Sequence, residues 1–237
     1  MKFLFAGPSL PDAATLAGDT IKVRPPAAHG DVLAAVREGA TAIGIIDGNF
    51  EHVAPVWHKE ILYALDRGVA VFGAASMGAL RAAECDTFGM IGIGRIYEDY
   101  ASGRRVDDAD VALLHGPAEL GYPALSLPLV NVDATLDRLA SEEVIDKYDI
   151  SRLRDRAKEQ FYKARTWISI VDSAGCTTDR QRLLQLLHAA TVNQKREDAL
   201  ELLRVFIDFD GKTPAKRGNW AFRATSLWRA VAGQPDT

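Results

Sequence analysis

The residues best suited to chemistry lie in "VFGAASMGALRAAE", residues 71 to 84. Within it, "AASMG" is a relaxed form of the G-x-S-x-G motif, with Ala74 at the first glycine position. In that motif a serine on a sharp strand-to-helix turn exposes its hydroxyl, and the next amide points toward a developing oxyanion. Ser76 is thus a candidate nucleophile with Met77 as oxyanion donor. Serine is also a common N-cap and a helix N-terminus attracts anions, so a cap and an anion cradle remain open alternatives.

A serine nucleophile needs a general base, and histidine is the most frequent one. His58 opens a predicted helix and His115 follows a candidate strand, so both are candidate bases near the carboxyl edge of a sheet. His58 is also spaced with Leu62 and Leu65 as a buried structural histidine would be. Asp47 ends an apolar run, where it could orient a histidine or cap the following turn.

Three polar turns follow three predicted strands: "GPS" (7 to 9), "DGN" (47 to 49) and "AASMG" (74 to 78). Ligands of open parallel sheets bind at the carboxyl ends of the strands, so these turns predict one shared site. The alternative is that their glycines only permit tight turns. The residues predicted to bind substrate or an oxyanion are Ser9, Gly48, Met77, Gly78, Arg81 and Glu84.

Two further patterns allow more than one interpretation. Arg81 and Glu84, three residues apart, could form an intrahelical pair, or Arg81 could clamp a carboxylate or phosphate. The segment 104 to 115, "RRVDDADVALLH", gathers acidic residues with His115 but is more typical of a capped turn, so no metal site is predicted. There is no G-x-x-x-x-G-K-[ST], and no bound cofactor is expected. In and before "IGIGRI" (91 to 96), Gly89, Gly92 and Gly94 indicate a flexible or a tightly turning connection, which could be a lid.

Apolar runs alternate with helical patterns in the first half of the chain. The predicted strands are "KFLFAG" (2 to 7), "TIKVRPP" (20 to 26), "TAIGIIDG" (41 to 48) and "GVAVFGAAS" (68 to 76), with a possible fifth in "DVALLHG" (110 to 116). Helices are predicted at 31 to 39, 54 to 68 and 94 to 103. Such alternation predicts an α/β fold with a doubly wound, mainly parallel, Rossmann-like sheet.

From Asp133 onward the pattern is helical, most plainly over 151 to 171, where Leu153, Phe161 and Ile168 belong to one apolar face. Shorter helices are expected around 183 to 187, 198 to 206 and 220 to 231. We therefore predict two domains, an α/β core over 1–131 and a helical C-terminal domain over 132–237.

Composition limits the classes of function. The 237 residues are 48% hydrophobic, and no segment has the length or apolarity of a signal or membrane span, so a cytoplasmic protein without membrane or nucleic-acid partners is expected. The two cysteines are too few for a disulfide framework. Residues 151–237 hold 16 Lys and Arg against 10 Asp and Glu, an excess that would suit an acidic partner or simply a solvated face.

The segment from Ile45 to His115 resembles the core domain of TfuA-like proteins, through "HKEIL", "ASMGALRAAE", "GMIGIGRIY" and "DDADVALLH" in order. The resemblance continues more weakly to about Asp133, and "FAGPSL" and "RPPAAHGD" are similar to N-terminal pieces of the family. The family's motif positions fall on Asp47, Gly48, His58, Glu60, Ser76, Met77, Gly78, Arg81, Glu84, Tyr97, Asp107, Asp108 and His115.

This resemblance implies a partnership with a YcaO enzyme, which uses ATP to activate a peptide amide for thioamide formation in a ribosomally made peptide or protein. The expected partners are the YcaO protein, a sulfur-carrier protein with a C-terminal thiocarboxylate, and the precursor peptide. The expected activity is release of sulfide from the carrier through Ser76. The alternative is a non-catalytic partner that activates YcaO or channels sulfide.

Overall fold

Five short strands form one sheet in the computed structural model, which describes residues 1–49, 53–211 and 220–233. Their order is β2-β1-β3-β4-β5, and every neighbouring pair is parallel, as in the register Phe3 to Ile43 to Val71. The strands are β1 Lys2–Phe5, β2 Ile21–Arg24, β3 Ala42–Ile45, β4 Ala70–Ala74 and β5 Ile91–Ile93. This confirms the predicted doubly wound parallel α/β sheet.

Helices cover both faces of the sheet because successive strand residues point to opposite sides. On one side Phe3, Ile43 and Val71 pack against helices α2 to α5, and on the other Leu4 and Phe72 pack against α1 and α10. The helices of this part are α1 Ala13–Ala17, α2 Asp31–Arg37, α3 His58–Asp66, α4 Met77–Cys85 and α5 Arg95–Ala101.

The remaining helices follow in the order α6 Leu129–Ser141, α7 Lys147–Glu159, α8 Trp167–Ala174, α9 Arg180–Ala189, α10 Gln194–Asp208 and α11 Ser226–Ala232. Helices α6 to α9 share their own apolar core, whereas α10 packs on the sheet through Leu202 and Phe206. Trp228 of α11 packs against α2 and α3. The predicted helical domain thus corresponds to α6–α9, while α10 and α11 return to the α/β part.

Three sequence predictions about individual elements were wrong. Residues 110–116 are not a strand: Asp108–Asp110 is a 3₁₀ turn, and only His115 pairs, in an isolated bridge to Ala124. "IGIGRI" is not a flexible lid: it contains the edge strand β5 and the start of α5, and the Tyr97 ring lies where a Cβ on Gly92 would sit. The alternative of a tightly turning connection agrees with the positive φ of Gly89 and Gly94, 108° and 88°.

The single helix predicted over 151–171 is two helices, α7 and α8, separated by a 3₁₀ turn. A capping box between Thr166 and Ser169 starts α8, and this local signal overrides the apolar repeat. Phe161 and Ile168, which were predicted on the apolar face, are consequently exposed. None of the helices that the structure describes is both long and apolar enough to cross a membrane.

Candidate functional site

The carboxyl ends of β1 and β3 meet at the point where the strand order reverses, and Asp47 connects them. Asp47 Oδ2 accepts hydrogen bonds from the Gly7 amide at 2.9 Å and the Ser9 amide at 3.0 Å, and Oδ1 accepts one from Ser9 Oγ at 2.6 Å. Asp47 and Ser9 are both buried. Asp47 therefore fixes the turn after β1, and within the described residues it does not hydrogen-bond to a histidine.

Ser76 occupies a sharp elbow between β4 and α4. The preceding residue, Ala75, has a φ of 66°, a strained value for a residue with a side chain, and the Ser76 amide donates to the Ala74 carbonyl at 2.7 Å. The elbow is tightly packed. A Cβ atom on Gly73 would lie 2.1 Å from the Gly78 carbonyl oxygen, and a Cβ atom on Gly78 would lie 1.8 Å from the Ile45 carbonyl oxygen. Gly78 of the motif and Gly73, which precedes it, are thus both required for close packing of α4 on the sheet.

The side chain of Ser76 does not cap the helix. No capping hydrogen bond to α4 is present, and Ser76 Oγ has no hydrogen-bond partner among the residues that the structure describes. The interpretation of Ser76 as a side-chain N-cap was therefore wrong. An uncommitted hydroxyl that faces a cavity can attack a ligand or donate to it.

Two backbone amides near this serine remain available to an anion. Within the described residues, neither the Met77 nor the Gly48 amide has an acceptor, and a Cβ on Gly48 would lie 2.6 Å from the Met77 side chain, so the two residues are adjacent. By contrast, the Gly7 amide donates to Asp47, and the Gly78 amide donates to the Ile46 carbonyl at 3.2 Å. Met77 and Gly48 are consequently the better oxyanion donors.

These turns surround a cavity of about 160 Å³. Asp47, Gly48 and Ser76 line one side of it, and His115 and Lys195 line another. The other lining residues are Pro8, Pro26, Asn49, Val111, Leu113, Leu114, Tyr162 and Lys163. The cavity thus combines the sheet edge with the loop before α6, the turn before α8 and the start of α10.

Lys195 is the functional residue that sequence reasoning missed. Its ammonium group is buried and donates to the Val111 carbonyl at 2.8 Å. Burial lowers its pKa to about 8, although the nearby Asp47 carboxylate acts in the opposite direction. A lysine of this kind holds and releases a proton near neutral pH, which makes it suited to general acid and base work.

His115 also lies at the cavity, on its exposed rim. Its Nδ1 is 2.8 Å from the Gly116 carbonyl oxygen, and its ring packs edge-on against Tyr122. Since a carbonyl oxygen only accepts, Nδ1 carries the proton, and Nε2 keeps a lone pair in the neutral ring. His115 can therefore hydrogen-bond to a ligand that enters the cavity.

His58, Arg81 and Glu84 form a separate cluster and do not line the cavity. Glu84 Oε2 accepts from Arg81 Nη1 at 2.7 Å and lies 2.6 Å from His58 Nε2, while Arg81 Nε donates to the Val56 carbonyl at 3.1 Å. Hydrogen bonds from His58 and Arg81 lower the pKa of the Glu84 carboxyl against the effect of burial. This cluster joins α3 to α4.

The acidic segment after α5 forms internal contacts. Asp107 accepts a hydrogen bond from the Ala109 amide at 2.9 Å, and Asp110 accepts one from Arg105 at 3.0 Å. Within the described part of the chain, no three His, Cys, Asp or Glu side chains are arranged to hold a metal ion.

The fold and the cavity define a doubly wound α/β protein in which Asp47, Ser76 and Lys195 line one cavity at the carboxyl edge of the sheet. A family model described as TfuA-like protein matches residues 47–166, just over half of the chain. The chain therefore belongs to the TfuA-like family, which is associated with YcaO enzymes and thioamide formation. None of the curated proteins compared with the chain matches it at a significant level.

Proposed function

We propose that this protein releases sulfide from the C-terminal thiocarboxylate of a sulfur-carrier protein, for use by a YcaO enzyme that converts a peptide amide to a thioamide. The observation that carries the proposal is the placement of Ser76 and Lys195 around one cavity. Ser76 contributes an uncommitted hydroxyl, and Lys195 contributes an amine whose pKa of about 8 leaves part of it neutral near pH 7. Family membership supplies the YcaO setting.

In the first half of the reaction, Ser76 Oγ attacks the carbonyl carbon of the thiocarboxylate while Lys195 Nζ takes the hydroxyl proton. The Met77 and Gly48 amides then stabilise the negative charge on the carbonyl oxygen. When the carbon–sulfur bond breaks, the sulfur leaves with the bonding electron pair and takes the proton back from Lys195. The products of this step are an ester on Ser76 and sulfide.

In the second half, water attacks the ester while Lys195 takes a proton from it. Collapse of the intermediate returns the proton to Ser76 and frees the carrier with an ordinary carboxylate. No metal or nucleotide enters this sequence of steps. The ATP-dependent activation of the peptide amide belongs to the YcaO partner.

The remaining residues of the cavity would hold the tail of the carrier. His115 Nε2 and the Asn49 side chain face a chain that enters from solvent, and Lys163 at the rim adds positive charge for the terminal carboxylate or thiocarboxylate. The Asp47 carboxylate fixes the turn after β1, because it accepts hydrogen bonds from Gly7 and Ser9. Its negative charge also raises the pKa of Lys195, against the effect of burial.

Neither cysteine is suited to carry the sulfur itself. Burial raises the pKa of the Cys85 thiol to about 12 and that of Cys176 to about 11, so neither is a ready thiolate at neutral pH. Neither cysteine lines the candidate site. Release of free sulfide is therefore favoured over transfer through a persulfide on this chain.

The test is to incubate the purified protein with a thiocarboxylated carrier and to measure sulfide and the carrier mass. We expect Ser76→Ala to abolish release, whereas Ser102→Ala, on the exposed end of α5, should release sulfide like the wild type. Undiminished release by Ser76→Ala would overturn the nucleophile assignment. If the wild type releases no sulfide but stimulates a YcaO enzyme supplied with free sulfide, the non-catalytic alternative is correct.

A further inference from the structure

The candidate site continues into a second cavity of about 200 Å³. The two cavities share Pro8, Leu113 and Lys195 as lining residues, so the lysine lies at their junction. The second cavity extends from Ser9 toward Trp167 of α8 and the loop before α10. Lys195 thus borders both spaces, whereas Ser76 lines only the first of them.

The second cavity in turn borders a surface pocket of about 220 Å³. These two share Ala124, Ser126, Leu127 and Trp167. The surface pocket lies between Leu125 and Ile168, whose side chains are exposed. The three spaces therefore follow one another from Ser76 to the surface, with each adjoining pair sharing part of its wall.

The polar groups along the middle of this path are already engaged. Ser126 Oγ accepts from the Leu114 amide at 2.7 Å, and Thr135 Oγ1 donates to the Asn131 carbonyl at 2.8 Å and accepts from the Val192 amide at 3.0 Å. The rest of the wall includes Pro128 and Trp167. Such a wall offers few hydrogen bonds to a charged or strongly hydrated molecule, whereas a small neutral molecule that hydrogen-bonds weakly can pass.

We propose that these cavities form a channel through which sulfide leaves the site, as neutral hydrogen sulfide, toward the exit between Leu125 and Ile168. This inference rests on the proposed function. When the carbon–sulfur bond breaks, the carrier is still esterified to Ser76 and fills the entrance beside His115, so the sulfide needs another way out. Lys195 stands where the first proton is delivered, and its transfer to the leaving sulfur gives hydrosulfide. A second proton from water in the cavity gives the neutral molecule that the apolar wall admits, and the hydroxide left behind is neutralised by the carboxylic acid that forms when the ester on Ser76 is hydrolysed.

The proposed channel can be blocked at Ala124, which lines the second cavity and the surface pocket but not the first cavity, and which pairs with His115 through its backbone rather than its side chain. Ala124 is exposed and lines both the second cavity and the surface pocket, so Ala124→Trp places an indole across the path at little cost to folding. Ala118, also exposed and on the same loop, lines none of these spaces, and Ala118→Trp is the matched control. Thermal unfolding of both variants checks that the fold is kept.

The experiment compares two substrates, the thiocarboxylated carrier protein and a short peptide thiocarboxylate that leaves the entrance open. With the carrier, we expect Ala124→Trp to complete its first turnover like the wild type but to lose steady-state sulfide release several-fold. With the short peptide, it should match the wild type, because sulfide can leave through the entrance. Ala118→Trp should match the wild type with both substrates.

Two results would overturn the channel. Equal steady-state rates for Ala124→Trp and the wild type with the carrier would show that sulfide does not use this path. An equal loss with both substrates would show that the indole disturbs the site itself. Failure of the proposed function is distinct from either, since the wild type would then release no sulfide or Ser76→Ala would remain active.

Discussion

Helix α4 carries two polar clusters, one that lines a cavity and one at the surface, where its charges are paired. At its start, Ser76 lines a cavity with the buried Asp47 and Lys195, and Ser76 Oγ has no partner among the described residues. On its later turns, Glu84 bonds to both Arg81 and His58. The side chains of both His58 and Glu84 are 44% exposed.

The two clusters give different roles to residues that belong to the same family pattern: Ser76 and Asp47 lie in the first cluster, and His58 and Glu84 lie in the second. In the second cluster the charges are paired and partly screened by water, so the cluster chiefly joins two helices. In the first, burial shifts the pKa of a lysine and leaves a hydroxyl and two amides uncommitted. A hydroxyl without a described partner beside a lysine of shifted pKa marks a candidate reactive site better than the charged residues of a motif do.

The largest expected effect is loss of the base. Lys195→Met should lower the rate of sulfide release by about 10²–10⁴-fold, the usual contribution of a general base. The fold should be kept, because an apolar side chain of similar length replaces a buried charge. Steady-state release and thermal unfolding measure the two effects. His58→Gln is the matched variant from the second cluster and should release sulfide like the wild type. If Lys195→Met and His58→Gln lost the same share of sulfide release, the two clusters would not differ in function.

The second prediction concerns the stability of the switch point. Asp47→Ala leaves three buried donors, on Gly7 and Ser9, without their acceptor, and should reduce the free energy of unfolding by about 3 kcal/mol. Chemical denaturation measures this loss. Asp31→Ala is a milder comparison, because among the described residues the Asp31 carboxylate accepts one hydrogen bond, from the Ala28 amide. Equal losses for the two variants would contradict the structural role given to Asp47.

The third prediction is the pH dependence of the reaction. The folded-state pKa of Lys195 is lowered from 10.5 to about 8, so the neutral amine increases as the pH rises through about 8. The rate of sulfide release should therefore rise about tenfold between pH 7 and pH 9, since each pH unit below the pKa lowers the neutral fraction about tenfold. A rise centred near the ordinary imidazole value of about 6.5 would instead indicate a histidine base.

Much of the fold was predictable because its signals are local. The runs that form β1, β3 and β4 end at Gly, Asp or Ser, and the chain turns there as expected. β5 was missed since its three residues include Gly92, and glycine lowers the strand signal. The segment after Asp110 was misassigned as a strand because Val111 and Ala112 are buried in the core without pairing in the sheet.

The candidate site was predictable only in part, since its residues come from distant parts of the chain. Ser76, Asp47 and Gly48 follow strands, so their shared position at one sheet edge follows from topology. No motif predicts a role for Lys195. It also lay outside the predicted helix, since α10 was predicted to begin at 198 but begins at Gln194. One signal existed: Lys195 lies four, seven and eleven residues before Ala199, Leu202 and Phe206, so the helical repeat places a lysine on the apolar face.

The smallest expected effect tests the second cluster itself. Glu84→Ala removes the acceptor that His58 and Arg81 share. Because the Glu84 side chain is partly exposed, its ion pairs should contribute about 1 kcal/mol or less to the free energy of unfolding. Because hydrogen bonds hold the folded-state pKa of Glu84 below its ordinary value, its contribution is present above the unfolded pKa and is lost as the pH falls through the folded one. Denaturation at neutral and acidic pH should therefore show a small difference between variant and wild type that disappears in acid. A loss as large as that of Asp47→Ala, or a matching loss of sulfide release, would mean that the exposed cluster supports the site after all.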